Sequence, residues 1–344
     1  MAKLSERENL LRLYRSEIPA WVPISEHATN KGFGPVFLRA GRGNRLRQKG
    51  DRFRDIFGVL HEISDPRFGP MPAPDEHRVT DVSKWREQFP ATAFPDLDSF
   101  DWEAAVKEET ADWDRENKYI KYLFGGTGSG SSFVWMASLL GNAEALEAML
   151  TEPEAWDDLL DTLTVFQEGL VARIGAYFQP DSIVLCDDLA FNKGTFMSPA
   201  LYRDRIKPFH KRLVDAIVKA GCVPEIHCCG KADTLADDFV DIGLRSWNPA
   251  QRFNDLEGVK ARHGNRLILD GAWDSNGPAA MRGADEAVVR AAVRSAMDRC
   301  APGGGYVFST SGMTEVSYVG EEHMGWIYDE AARYGRQFYT SNTE

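Results

Sequence analysis

Five polar groups in this chain follow apolar runs that read as strands. Glu26 follows Trp21-Val22-Pro23-Ile24, and Asp187-Asp188 follows Ile183-Val184-Leu185-Cys186. His227-Cys228-Cys229 follows Val223 to Ile226, Asn248 follows Leu244 to Trp247, and Asp270 follows Arg266 to Leu269. Carboxylates at such places do general acid or base work when burial raises their pKa. Imidazole and thiolate together bind zinc. On an extended segment, residues two apart share a face, so His227 and Cys229 point one way and Cys228 the other. The plain alternative is a core histidine satisfied by hydrogen bonds beside a cysteine packed as a small hydrophobe. A single Asp or Asn in such a place can equally cap the next helix.

Strands alternating with helices must position these groups. Ser5 and Glu8 have capping-box spacing and open a short helix that ends near Ile18. Trp21 to Glu26 reads as the first strand, and Phe53 to Ile63 is ambiguous between strand and hairpin. Residues 65–100 carry Pro66, Pro70, Pro72, Pro74, Pro90 and Pro95, and read as an insertion on the fold rather than a separate domain. Strands then follow at Tyr119 to Phe124, Ile183 to Cys186, Val223 to Ile226, Leu244 to Trp247, Arg266 to Leu269 and Tyr306 to Ser309. Helices at about 133–150, 153–177, 199–220, 231–241 and 284–300 separate them, and another closes the chain. This alternation predicts parallel β-structure with right-handed crossovers. With the segment near Phe57 the count reaches eight, which fits an α/β TIM (β/α)8 barrel with an N-terminal insertion, the whole of 1–344 forming one domain. In such a barrel the polar strand ends line one mouth. A doubly wound open sheet is the structural rival.

Composition narrows the partners. With 344 residues, 43% of them hydrophobic, the chain can bury a large core, and its net charge of -12 repels nucleic acid and anionic membrane. The basic residues Arg42, Arg45, Arg47, Lys49, Arg52 and Arg54 read as a solvated face. The residues from Met1 to Glu8 hold no apolar stretch, so no signal peptide is expected. Five cysteines, an odd number, fit a reducing cytoplasm better than a disulfide framework. Gly125 to Ser132 has amides free to cradle an anion, or is simply a turn at the mouth; it matches neither the P-loop nor the dinucleotide fingerprint. No Gly-x-Ser-x-Gly elbow is present, so serine hydrolysis has no support.

Three stretches carry a family resemblance. Ile183 to Ala220, Glu225-Ile226-His227-Cys228-Cys229-Gly230 and Ala301-Pro302-Gly303-Gly304-Gly305-Tyr306-Val307-Phe308 resemble the uroporphyrinogen decarboxylase superfamily. The likeness runs from about residue 100 onward, and more faintly through Asp55 to Val59. It implies a TIM barrel. It also implies one of two chemistries. Porphyrinogen decarboxylases carry an arginine-bearing segment at the first strand, where this chain reads Ser25-Glu26-His27-Ala28-Thr29-Asn30-Lys31. The pattern is closer to the corrinoid-dependent methyltransferases, including those that demethylate methoxylated aromatics. That resemblance implies a small methylated donor, a corrinoid (cobalamin) on a partner protein as acceptor, and a possible zinc on His227 and Cys229. The family's third ligand is a cysteine in the last strand, which here reads Tyr306-Val307-Phe308-Ser309-Thr310. Cys222 and Cys300 belong at the opposite barrel end, which leaves Cys186 or Glu315 as substitutes.

On this reading Glu26, Asp187 and Asp188 are candidate acids, and His227 is a metal ligand or hydrogen-bond donor. Phe191, Trp247, Trp273, Tyr306 and Phe308 would wall a donor pocket, with Asn248 and Asp270 as its polar contacts. Decarboxylation, and a barrel that binds a ligand without catalysis, are the two alternatives.

Overall fold

The computed structural model describes residues 4–33, 48–65, 70–124, 130–310 and 316–341. Arg42, Arg45, Arg47, Gly125 to Ser129 and Glu315 lie outside the described residues.

Seven strands form one curled parallel sheet: β1 (Thr29–Phe33), β2 (Tyr119–Phe124), β3 (Ser182–Cys186), β4 (Val223–His227), β5 (Ser246–Ala250), β6 (Ile268–Ala272) and β7 (Tyr306–Ser309), neighbours in that order. β2, β3 and β6 are short runs buried along almost their whole length, as strands covered on both faces must be. Alternate residues turn to the inner side, among them Tyr119, Lys121 and Leu123 on β2 and Glu225 and His227 on β4. The helices expected between strands are present, including Ser132–Leu140, Pro153–Arg173, Lys207–Lys219 and Glu286–Cys300. None of the described helices is long and apolar enough to cross a membrane.

Two expectations change. The first strand is not Trp21 to Glu26: Ser25–Ala28 is a helical turn, and the strand is Thr29–Phe33. The chain before it still touches the sheet, since Ile24 bridges Phe308 in parallel and the Phe308 N–H donates to the Pro23 carbonyl at 2.9 Å. Apolar Trp21 to Ile24 therefore marks the approach to β7, while the polar run Thr29 to Phe33 pairs with β2 because backbone pairing ignores side-chain polarity. The segment near Phe57 does not join the sheet either. Arg52–Arg54, Leu60–Glu62 and Met71–Pro72 form a separate antiparallel sheet, turned by the tight loop at Asp55 to Gly58. Its Arg52 and Arg54 are solvent-exposed and paired with Glu62, Asp75 and Glu76.

Within residues 65–100, Val79, Val82, Trp85, Phe89 and Leu97 share the main hydrophobic cluster with the sheet and its helices. The opening helix Glu6–Tyr14 is capped as expected, the Glu8 N–H donating to Ser5 Oγ at 3.2 Å. Its Leu10 and Leu13 are fully buried with Tyr119, Ile268 and Val307, covering the end of the sheet where the strands begin.

Candidate functional site

The ends of β3 and β4 bring three ligand-type groups together. Atoms of Asp188, His227 and Cys229 lie within 4.8 Å of one another. Register places them: Cys186 is opposite His227, and His227 opposite Asn248. The Cys229 N–H donates to Asp188 Oδ1 at 2.6 Å, and Cys229 Sγ sits 3.4 Å from His227 Nε2. His227 Nδ1 is 3.0 Å from Asn248 Oδ1. The other arm of that amide donates to the Asp270 carbonyl at 3.4 Å, which makes Oδ1 the acceptor and puts the ring proton on Nδ1. The Nε2 lone pair then faces the cluster. Burial, then the Asp188 charge, push the Cys229 thiol well above its usual pKa. The group is thus an imidazole, a thiol and a carboxyl group with no basic side chain paired to them among the described residues, a set that suits zinc.

Packing behind the cluster holds it still. Gly230 takes φ +93, and a Cβ there would lie 2.4 Å from the Ala190 carbonyl carbon. Only glycine lets the turn after Cys229 press against the hairpin of Ala190–Phe191 and Gly194–Thr195, which directly follows Asp188. The Lys231 N–H donates to the Phe191 carbonyl at 2.7 Å and completes that junction.

The remaining sequence candidates divide. Asp187 is fully buried and turned away from the cluster: it accepts from the Phe133 and Val134 N–H groups at 3.1 and 2.7 Å, and lies 2.7 Å from His210 Nε2. It caps the helix Ser132–Leu140, so a catalytic acid role has no geometric support. Cys228 is fully buried, its Sγ accepting the Leu189 N–H at 3.4 Å. Cys186, weighed as a third ligand, is not in the cluster; Asp188 is.

Glu26 lies at the end of β7, accepting from the Thr310 N–H at 3.3 Å and Ser309 Oγ at 3.4 Å. The aromatic wall is mostly core. Trp247 is fully buried, donating to the Cys228 carbonyl at 3.0 Å, and Tyr306 donates to the Gly271 carbonyl at 3.0 Å. Phe308 and Trp273 pack on each other out of solvent. Their inclination into the core follows from strand alternation and strong apolar transfer. Phe191 alone is exposed, at 45%, stacked on Phe196, which the sequence reading missed.

Also missed was a charged layer inside the sheet. Lys121 Nζ lies 2.9 Å from both Glu225 Oε2 and Asp270 Oδ2, and the Tyr14 hydroxyl donates to Glu225 Oε1 at 2.6 Å. All three charged residues are buried. Burial works to lower the Lys121 pKa, yet the Asp270 and Glu225 carboxylates hold it above the ordinary lysine range. The signal was present in the sequence: a lysine inside Tyr119 to Phe124 and a glutamate inside Val223 to His227 demand partners if buried. This layer floors a small cavity of about 30 Å³ that His227, Asn248, Asp270 and Lys31 also line.

Comparison with known proteins agrees with the architecture. The family model described as uroporphyrinogen decarboxylase (URO-D) matches residues 123–316, more than half of the chain. No curated protein sequence matches it. Among 23 similar solved chains is a methyltransferase from Methanosarcina mazei, 13% identical, with a TM-score of 0.65 over 96% of this chain and 99% of that one. At that identity the likeness speaks for the fold.

Proposed function

Because the chain belongs to the uroporphyrinogen decarboxylase family, we propose that it transfers a methyl group from a small methylated donor, a methoxylated aromatic, to the cobalt of a corrinoid carried by a partner protein. The observation that carries this reading is the convergence of Asp188, His227 and Cys229 at the strand ends. The fold-level likeness to a methyltransferase supports it. So does the absence of arginine from Ser25 to Lys31, where porphyrinogen decarboxylases bind their acidic substrate.

The sheet is read as the (β/α)8 barrel of the family, with Trp21 to Ile24 as the closing segment and the Ile24–Phe308 bridge in support. Residues 1–344 are read as one domain, with 65–100 inserted upon it, since both share a core. Five unpaired cysteines support a cytoplasmic setting. Nucleic acid and membrane are not partners on this reading, given the net charge of -12.

In the proposed reaction the methyl carbon leaves its heteroatom for cobalt, the acceptor on the partner protein, whose reduced form supplies the electron pair of the new bond. The electron pair of the broken bond stays on the heteroatom, which takes up a proton. Asp188, His227 and Cys229 would hold zinc, whose chemistry there is that of a Lewis acid on the departing atom. Asn248 fixes the His227 ring, so Nε2 rather than Nδ1 faces the site. Cys229 would hold such a cation as the thiolate. Asp187 being committed to a helix end and Asp188 to the cluster, Glu26 is left as the proton source.

The test is spectroscopic. Purified protein is mixed with reduced corrinoid and methoxylated aromatics, and the cobalt absorption is followed. Methylation dependent on Cys229 supports the reading. Release of carbon dioxide from uroporphyrinogen, without cobalt methylation by any donor, would overturn it.

A further inference from the structure

Two members of the Asp188–His227–Cys229 cluster each follow a residue that faces the other way, into the protein. Asp187 precedes Asp188, and Cys228 precedes Cys229. Neighbours on extended backbone turn to opposite sides, so holding one of the two orients the other. A single buried scaffold holds both inner neighbours. Asp187 Oδ2 lies 2.7 Å from His210 Nε2, and His210 Nδ1 lies 3.1 Å from the Tyr202 hydroxyl. The rings of Tyr202 and Phe239 meet edge to face, as do those of Phe239 and Trp247. The Trp247 N–H then donates to the Cys228 carbonyl at 3.0 Å. All six residues are fully buried.

Histidine is a costly choice at position 210. It lies on the buried face of the helix Lys207–Lys219 with Leu213, Val214 and Ile217, where an apolar residue would lose no hydration. Its hydrogen bonds offset that cost. A carboxylate only accepts, so Nε2 carries a proton and donates to Asp187. Burial, and after it the Asp238 charge, raise the Tyr202 hydroxyl well above the usual tyrosine range, so it keeps its proton and donates to Nδ1. The Val134 N–H occupies Asp187 Oδ1, while the Phe133 N–H and His210 share Oδ2. His210 is thus the one side chain among the described residues that holds this carboxylate away from the cluster. Without it Asp187 keeps two amide donors, and the turn that aims Asp188 loses its side-chain anchor.

We infer that His210 is a positioning residue for the Asp188–His227–Cys229 centre, setting its metal affinity and ligand arrangement through Asp187, with Tyr202 orienting the His210 ring. This rests on the metal reading of the cluster and not on which molecule supplies the methyl group.

The test uses the intact protein, zinc, and cobalt(II) ion in place of zinc. Chelator competition gives the zinc affinity, and the visible absorption of cobalt(II) reports how its ligands are arranged. His210→Phe keeps a ring in the space and removes both hydrogen bonds. It should weaken zinc binding about tenfold or more, as loss of a supporting partner does, and shift the cobalt(II) spectrum. Leu213→Ala cuts the same buried helix face and removes no hydrogen bond, so it should lower the melting temperature and leave affinity and spectrum alone. If His210→Phe does not fold, Tyr202→Phe takes its place and should move both readouts the same way by less. Unchanged affinity and spectrum in the folded variant, an equal loss in Leu213→Ala, or no metal bound by the unaltered protein would each overturn the inference. Methyl transfer fails separately. Metal binding that depends on His210, without methylation of the corrinoid by any donor, sinks methyl transfer and leaves His210 standing; corrinoid methylation with zinc affinity indifferent to His210 does the reverse.

Discussion

The sheet carries two polar clusters, one at its rim and one a layer below, and they solve the same electrostatic problem in opposite ways. In the lower layer Lys121 sits between Glu225 and Asp270, so the buried carboxylates have a cation supplied by the chain. At the rim Asp188, His227 and Cys229 converge with no such cation among the described residues. Burial and the Asp188 charge keep the Cys229 thiol protonated there. Internal compensation produces a structural element; its omission produces a place for something from outside. Asp187 and Asp188 show the same contrast between neighbours. The first is spent on two amide donors and His210, the second on a single backbone N–H and the cluster.

If the contrast is real, changes at the rim move metal and leave stability, while changes below move stability and leave metal. The largest effect is expected for Cys229→Ser, which should take bound zinc from near one per chain to none and end cobalt methylation. Cys228→Ser should keep the metal, because its sulfur faces Leu189 instead. Equal loss in both, by elemental analysis, would erase the distinction.

Next in size is Lys121→Met. It strands two buried carboxylates, and should cost about 3–5 kcal/mol in denaturant unfolding, the range for breaking a buried pair. A variant as stable as the parent would mean the layer is wetter or less charged than drawn. Tyr14→Phe removes one hydrogen bond to the Glu225 carboxylate and should cost about 1.5–3 kcal/mol, again without loss of zinc. The smallest effect sharpens the border between the regions. Asn248 touches His227 above and the Asp270 carbonyl beside it. Asn248→Ala should weaken zinc binding by about 10–100-fold, as removal of a partner of a metal-bound histidine does, while its melting temperature shifts less than that of Lys121→Met. A large fall in stability with unchanged metal affinity would place Asn248 with the lower layer.

Much of this was legible in the residues themselves. Alternation along Val223 to Cys229 is a property of the extended backbone, so His227 and Cys229 could be placed together and Cys228 apart without knowing any neighbour. The strand and helix runs from Tyr119 onward rest on equally local periodicity. What failed was local too weakly: Trp21 to Ile24 is apolar like a strand, yet only the bridge to Phe308 decides how far it pairs. The burial of the aromatic residues was not legible, because an aromatic residue at a strand end is drawn to either face, and the packing of Phe239 on Trp247 is not written beside Trp247.

What the sequence by itself determined is the order of elements from Tyr119 onward, the parallel sheet and the shared face of His227 and Cys229. All three follow from steric rules that act within a few residues. Only the tertiary structure decided that Asp188 rather than Asp187 or Cys186 completes the cluster, and that Lys121 neutralises Asp270 from 149 positions away. Those outcomes depend on the register between strands and on which buried charge finds a partner. Both are settled by desolvation and packing over the whole sheet, which no short window of residues contains.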